Sequence, residues 1–363
     1  MTDNNILQSK TISYLRFPLI VVVVLAHSSL ASFTIQGEDV GTQAVYPVYE
    51  GIGYYITWVF GQIIIPTFFF ISGFLFFLKV KEWNADVYKT KMKRRFRSLV
   101  IPYLFWNLLA LTLFFIAENL PYISGLFSGN YMQIKDYGIK EFMMAFWVKE
   151  GGVAQSPFLY PFWFIRDLIV ISALSPLVYL VVRYLKLVGL AVLFTLWYFD
   201  AFNITGLGTA GIFFFSAGAY LGLNKINLIT LFNKLYYPSM FYPTLSVIVL
   251  ITRDYWFNQY IHYIGILLGI IFIFNIASSG IRHNKLRMPV FFANASFFVY
   301  ATHEPWLLLI KKFSFYIFQP SAEVSYILLF IVPALLIIGL SLAAYYIMSK
   351  YMPRFLNIVT GGR

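Results

Sequence analysis

The stretch RFPLIVVVVLAHSSL, residues 16–30, decides the class of fold. It places nine apolar residues and one proline between an arginine and a histidine. The whole chain is 60% hydrophobic and 12% charged, whereas about a quarter of the residues in soluble domains are charged. The sequence therefore predicts an all-α integral membrane protein.

Apolar runs of about 18 residues or more recur along the chain, and each is long enough to cross a bilayer of roughly 30 Å. They lie at roughly 13–35, 52–78, 98–118, 158–182, 187–204, 207–223, 235–252, 258–278, 289–310 and 324–349. We expect a single bundle of about ten transmembrane helices.

The longest polar stretch, 119–157, is too short and too aromatic to bury a core of its own. We therefore expect one transmembrane domain over residues 1–363, without a soluble domain at the carboxyl end. With both termini in the cytoplasm, most of the 27 Lys and Arg fall on the inner side, as the positive-inside rule requires. Lys311 and Lys312 are then among the few cations of the outer loops. This topology accounts for the net charge of +12 without nucleic-acid binding.

The first apolar run could also be a cleavable signal peptide, because Ser29-Leu30-Ala31 is a small-x-small pattern. Cleavage there would remove both Arg16 and His27. In a retained helix these two residues are 11 positions apart, so they share a face about 16 Å apart along the axis. Ionisable groups inside a span are costly and indicate function. The structural alternatives are that Arg16 snorkels to the headgroups and that His27 is a hydrogen-bonded core residue.

The most basic stretch of the chain is KVKEWNADVYKTKMKRRFRSLVIPYLFW, residues 79–106. Arg94 and Arg97 are three apart, so on a helix they present two guanidinium groups suited to phosphate oxygens. The alternative is an anchor for anionic lipid. Upstream, Ser72 and Gly73 in PTFFFISGFLFF are surrounded by aromatics. The glycine admits either a packed helix or a slim ligand.

Two further spans carry ionisable residues, in PFWFIRDLIV (161–170) and FVYATHEPWLLLIKK (298–312). Trp163 and Arg166 share a helix face, which permits stacking. Arg166 and Asp167 point about 100° apart and are expected to pair with different helices. His303 and Glu304 are the matching pair in the other span. Polar packing between helices is the structural alternative for both sites.

The chain has no cysteine and only four scattered histidines. We therefore expect no thiol chemistry and no metal site.

Five motifs in this order resemble the membrane acyltransferase-3 family: R-x10-H from residue 16, ISGF from 71, KRRFRSLVIPYLFW from 93, FWFIRDL from 162 and YATH from 300. The resemblance covers nearly the whole chain. It implies a bacterial inner-membrane, multi-pass enzyme of about ten helices. Such an enzyme moves an acetyl or related acyl group from cytoplasmic acyl-CoA to a hydroxyl of an extracytoplasmic polysaccharide or lipid-linked glycan.

The resemblance also implies roles for residues. Arg16 and His27 match the paired catalytic residues of the first helix. His27 then acts either as general base on the acceptor hydroxyl or as the residue that first accepts the acyl group. Acyl-CoA, most simply acetyl-CoA, is the implied donor substrate, and membrane lipid surrounds the bundle. The residues assigned to the donor are Arg94, Arg95, Arg97, Ser72 and Gly73. The residues assigned to substrate binding or support are Trp163, Arg166, Asp167, Tyr300, His303 and Glu304, with Ser72, Tyr300 and Arg166 as candidate oxyanion donors.

A second class of function fits the same intramembrane charges, namely a transporter or flippase for a glycan or lipid-linked sugar. Such a protein would move its cargo without consuming acyl-CoA.

Overall fold

The computed structural model describes residues 3–29, 33–35, 38–40, 46–120, 132–149 and 155–362. Helices dominate this part of the chain. They are α1 Asp3–Ala26, α2 Pro47–Tyr54, α3 Ile64–Phe77, α4 Ala85–Arg95, α5 Ile101–Asn119, α6 Ile139–Met144, α7 Trp163–Ala173, α8 Ser175–Leu180, α9 Lys186–Tyr198, α10 Thr209–Leu223, α11 Leu228–Asn233, α12 Tyr236–Ser239, α13 Tyr242–Ile251, α14 Asn258–Arg282, α15 Val290–Phe318, α16 Glu323–Tyr351 and α17 Pro353–Val359.

Strand is confined, in the described residues, to two short antiparallel hairpins. In one, β1 Phe33–Ile35 pairs with β2 Glu38–Val40. In the other, β3 Asn203–Ile204 pairs with β4 Leu207–Gly208. The predicted all-α class is confirmed.

Within the described residues, six helical segments are long and apolar enough to cross a membrane. They are Asp3–Ala26, Pro47–Phe77, Ala85–Asn119, Ser175–Tyr198, Asn258–Arg282 and Glu323–Tyr351. Two shorter apolar helices, Thr209–Leu223 and Tyr236–Ile251, coincide with predicted spans. The chain is thus a multi-pass membrane protein, and the count of ten crossings stays a prediction.

Several of these helices are irregular. Three π-helical segments, which are wider than α-helix, lie between α-helices. Tyr55–Phe60 follows α2 on the way to α3, Phe96–Val100 connects α4 with α5, and Val181–Leu185 connects α8 with α9. Helix α15 is broken at Glu304, whose backbone (φ −104°, ψ 140°) is not helical. Pro305 follows and offers no N–H to the preceding turn, which accounts for a kink at this point.

The chain divides into two compact units. Unit 1 comprises residues 1–22, 54–95 and 167–296. At its centre α3 lies directly against α10. A Cβ on Gly73 would collide with the backbone carbonyl of Phe215, and one on Gly218 would collide with that of Phe70. Small residues at such positions let two helix backbones approach closely.

Unit 2 comprises residues 23–53, 96–166 and 297–363. Its carboxyl-terminal helix α17 packs on α5, where the indole of Trp106 donates to the carbonyl of Val359 at 2.8 Å. Gly361 has a positive φ of 73° and lies against the backbone of Ser98. The hydroxyl of Ser28, just beyond α1, donates to the carbonyl of Phe330 on α16 at 2.5 Å.

Candidate active site

His27 lies in unit 2, one residue after the end of α1. Its backbone N–H still donates to the carbonyl of Val23 at 3.1 Å, so the helical turn carries through it. The half-buried imidazole meets two aromatic rings. Tyr160 approaches edge-on with 5.1 Å between ring centroids, and His303 stacks at 5.4 Å with 22° between the planes.

His303 and Glu304 come from the kinked part of α15, and both are buried. Nδ1 of His303 lies 2.6 Å from the carbonyl oxygen of Tyr300. A carbonyl only accepts hydrogen bonds, so Nδ1 carries the proton and Nε2 of the neutral ring is an acceptor. In the described part of the chain, this buried Nε2 has no hydrogen-bond partner. The kink takes Glu304 out of the regular helical path, immediately after the stacked histidine.

Tyr160 connects the imidazole to the carboxylate. Its ring contacts His27, and its hydroxyl donates to Oε1 of Glu304 at 3.1 Å. The residue before it is fixed by α5, since the N–H of Leu159 donates to Oδ1 of Asn107 at 3.0 Å. Sequence reasoning missed Tyr160. In a chain with 27 tyrosines, no spacing or motif distinguishes it.

Lys311 is the second residue that sequence reasoning missed. The topology prediction places it in an outer loop, but α15 continues to Phe318 and buries its side chain, which is only 7% exposed. Nζ donates to the carbonyls of His27 at 2.9 Å and Ser29 at 3.1 Å. The ammonium group also lies near the Glu304 carboxyl group and the His27 ring.

Arg166 and Tyr300 are engaged with backbone in the same unit. Arg166 is buried and donates to the carbonyls of Trp147 and Gln155, each at 2.6 Å. Its guanidinium lies over the ring of Trp147, a partner that the spacing to Trp163 does not predict. The Tyr300 hydroxyl donates to the carbonyl of Pro161. These contacts hold together the segment that carries Tyr160.

The predicted donor-binding residues are divided between the units. In unit 1, Arg95 donates to Oγ of Ser72 at 2.9 Å and lies over the ring of Phe76. Arg94 belongs to the same unit and is exposed, whereas Arg97 is exposed in unit 2. The space beside Gly73 is filled by the backbone of Phe215.

Two more predicted site residues lie in unit 1. Arg16 is half-buried on α1, and Asp167 is buried on α7. Trp163, the predicted stacking partner of Arg166, begins α7 and belongs to unit 2. Across the described ranges, no group of three or more His, Cys, Asp or Glu is arranged to hold a metal ion.

Comparison with known proteins identifies the family. The model of the acyltransferase-3 family, described as an acyltransferase domain, matches residues 10–347. The succinoglycan biosynthesis protein ExoH of Rhizobium meliloti (strain 1021) is 26% identical over 309 residues, which cover 82% of this chain and 79% of the relative. No solved structure matches the chain. The chain belongs to the acyltransferase-3 family and is a multi-pass membrane enzyme that transfers acyl groups.

Proposed function

We propose that the enzyme transfers an acyl group, most simply acetyl, from cytoplasmic acyl-CoA to a hydroxyl of a glycan outside the bacterial inner membrane. One observation carries the proposal: the His27 imidazole contacts the rings of Tyr160 and His303, Tyr160 is bonded to buried Glu304, and buried Lys311 donates to the His27 carbonyl. Enzymes concentrate buried ionisable groups in this way at sites of proton transfer.

In this reaction the neutral imidazole of His27 accepts the proton of the acceptor hydroxyl. The hydroxyl oxygen attacks the thioester carbonyl, the carbon–sulfur bond breaks, and the CoA thiol leaves with the proton. General-base catalysis of this kind contributes about 100-fold to 10,000-fold in rate. A two-step route, in which His27 itself carries the acyl group, uses the same residue.

Glu304 and Tyr160 support the charge that develops on His27. The ring becomes an imidazolium as it takes the proton, and Glu304, linked to the ring through Tyr160, is the acidic group of this cluster. The Tyr160 hydroxyl fixes the carboxylate through its hydrogen bond while the Tyr160 ring contacts the imidazole. Lys311, also buried, is the basic group near Glu304 in this cluster.

The donor assignment rests on the exposed guanidinium groups of Arg94 and Arg97, which suit the phosphates of CoA. Arg95 serves a different purpose, because its guanidinium is already bound to Ser72. Arg16, half-buried on the first helix, keeps the catalytic assignment that the family resemblance gives it.

The acceptor class is supported by the relative, whose name places it in the biosynthesis of succinoglycan. By analogy we expect a polysaccharide or its lipid-linked precursor as acceptor. We propose that the segment 119–157, which the predicted topology places outside, binds the acceptor; the structure describes it except for residues 121–131 and 150–154. Trp147 in this segment is 41% exposed and is held beside Arg166.

The test uses purified protein in liposomes with radiolabelled acetyl-CoA and cell-envelope glycans of the host. Label that becomes covalently attached to glycan, with an equal amount of CoA released, supports the proposal. Glycan that crosses the liposome membrane without release of CoA, from acetyl-CoA or other acyl donors, would contradict it and favour transport.

A further inference from the structure

We propose that Lys311 is a positioning residue that holds His27 in the geometry needed for acyl transfer. The inference rests on the proposed function, because it takes His27 as the reacting group. Its structural part, that Lys311 fixes the end of α1, stands on contacts of unit 2 alone.

The carbonyl groups at the end of a helix lack partners within the helix. Just beyond the end of α1, Lys311 donates to two such carbonyl groups of the exit turn, those of His27 and Ser29. A cation at this end also interacts favourably with the helix dipole. The residue between these two, Ser28, is tied to Phe330 of α16. Three consecutive residues are therefore each held by another helix.

Lys311 comes from the same helix as His303, which stacks on the His27 ring. The kink at Glu304 separates the two residues along α15. Helix α15 thus contacts His27 on both sides of its break, once through the ring and once through the backbone carbonyl. Loss of the lysine contact removes the hydrogen bonds between this end of α1 and α15, and leaves the ring contact between His27 and His303 as the link between these two residues.

A neutral hydrogen-bond donor could satisfy these two carbonyl groups without a buried lysine. Burying an ammonium group is costly unless opposite charge and hydrogen bonds compensate it. Glu304 supplies the charge, and the two carbonyls supply the acceptors. The free-energy cost of burying the ammonium group is consistent with a role in fixing a reacting group, since a misplacement of about 1 Å can lower a reaction rate by about 100-fold.

The experiment compares Lys311→Met with Lys311→Arg, and uses Lys312→Met as the matched control. Each variant is purified in detergent and checked by size-exclusion chromatography. Two readouts follow: kcat and KM for acetyl-CoA, and the rate at which diethyl pyrocarbonate modifies His27 relative to exposed His283, measured by mass spectrometry.

For Lys311→Met we expect kcat to fall about 100-fold with KM nearly unchanged. The modification of His27 should rise severalfold relative to His283. Lys311→Arg retains the charge and its donors, and should restore most of kcat and the original modification ratio. Lys312→Met should resemble wild type in both readouts.

Unchanged kcat in folded Lys311→Met, or lost kcat with an unchanged modification ratio, would overturn the positioning role. If Lys311→Met does not fold, the double variant Lys311→Met/Glu304→Gln removes both buried charges and allows the modification ratio to be measured. A wild type that releases no CoA from any acyl donor would contradict the proposed function, while the modification ratio still decides the role of Lys311.

Discussion

His27 combines an ordinary helix-end backbone with an unusual side-chain environment. Its ring contacts a tyrosine and a second histidine, and its own carbonyl accepts from a buried lysine. The polar cluster begins directly after the apolar run that makes α1 a membrane helix. The residue-level arrangement explains why a chain would carry a histidine at the end of a strongly apolar segment.

At Tyr160 the hydroxyl group can be tested apart from the ring. Tyr160→Phe keeps the contact with His27 but removes the hydrogen bond to Glu304. We expect a lower kcat, and a loss in the free energy of unfolding of about 0.5–3 kcal/mol, the range for a hydrogen bond to a neutral or a charged group. Steady-state kinetics and thermal unfolding in detergent measure both, with exposed Tyr184→Phe as the control. A variant that matches wild type in both measurements would remove Tyr160 from the site.

Residue chemistry was only partly predictable from the sequence. The pair His303 and Glu304 was identified because ionisable groups in an apolar run are rare. Tyr160 and Lys311 were missed for different reasons. Tyrosine is too common in this chain to signal a site, and Lys311 lies at the edge of an apolar run where an interfacial position is the default expectation.

Helix packing in unit 1 depends on glycines where α3 meets α10. In Gly73→Ala the new methyl group would collide with the carbonyl of Phe215, and overpacking of this kind costs about 1–3 kcal/mol. We expect a lower midpoint of thermal unfolding and less folded protein in the membrane. Gly339 on α16 is the matched control, because no atom beyond its own neighbouring helix backbone lies within 4 Å of its added Cβ. Gly339→Ala should be neutral or stabilising by up to about 1 kcal/mol. Equal midpoints for the two variants would argue against close packing at Gly73.

Two neighbouring arginines at the end of α4 allow a structural role to be distinguished from a role in binding the acyl donor. Arg95 is bound to Ser72 of α3, whereas Arg94 is exposed. We expect Arg95→Gln to lower the midpoint of thermal unfolding, because it breaks that link. Arg94→Gln should leave the midpoint unchanged and raise KM for acetyl-CoA. The reverse pattern would show that Arg95 binds the donor and would exclude the assignment made here.

At the scale of the whole molecule, the absence of cysteine offers a direct test of topology. Lys140→Cys and Lys285→Cys each introduce a single thiol at an exposed position. With both termini in the cytoplasm, a membrane-impermeant maleimide should label Lys140→Cys in intact spheroplasts, and Lys285→Cys only after lysis. Labelling of Lys285→Cys in intact spheroplasts would contradict the predicted orientation.

The overall class of fold was the most predictable feature, since hydrophobicity in long runs leaves few alternatives to membrane helices. The irregularities were not predictable in the same way. Apolar periodicity carries no signal for the π-helical turn at Phe96–Val100, nor for the length of α15 beyond its kink. The polar cluster depends on such breaks, because Glu304 reaches Tyr160 from a non-helical backbone position.

The central claim is that acyl transfer depends on His27, and release of CoA by purified protein tests it most directly. Wild type, His27→Ala and His283→Ala are compared at saturating acetyl-CoA with acceptor glycan present. We predict that His283→Ala matches wild type, and that folded His27→Ala releases CoA about 100-fold to 10,000-fold more slowly. Release by His27→Ala at the wild-type rate would contradict the account and place the chemistry elsewhere.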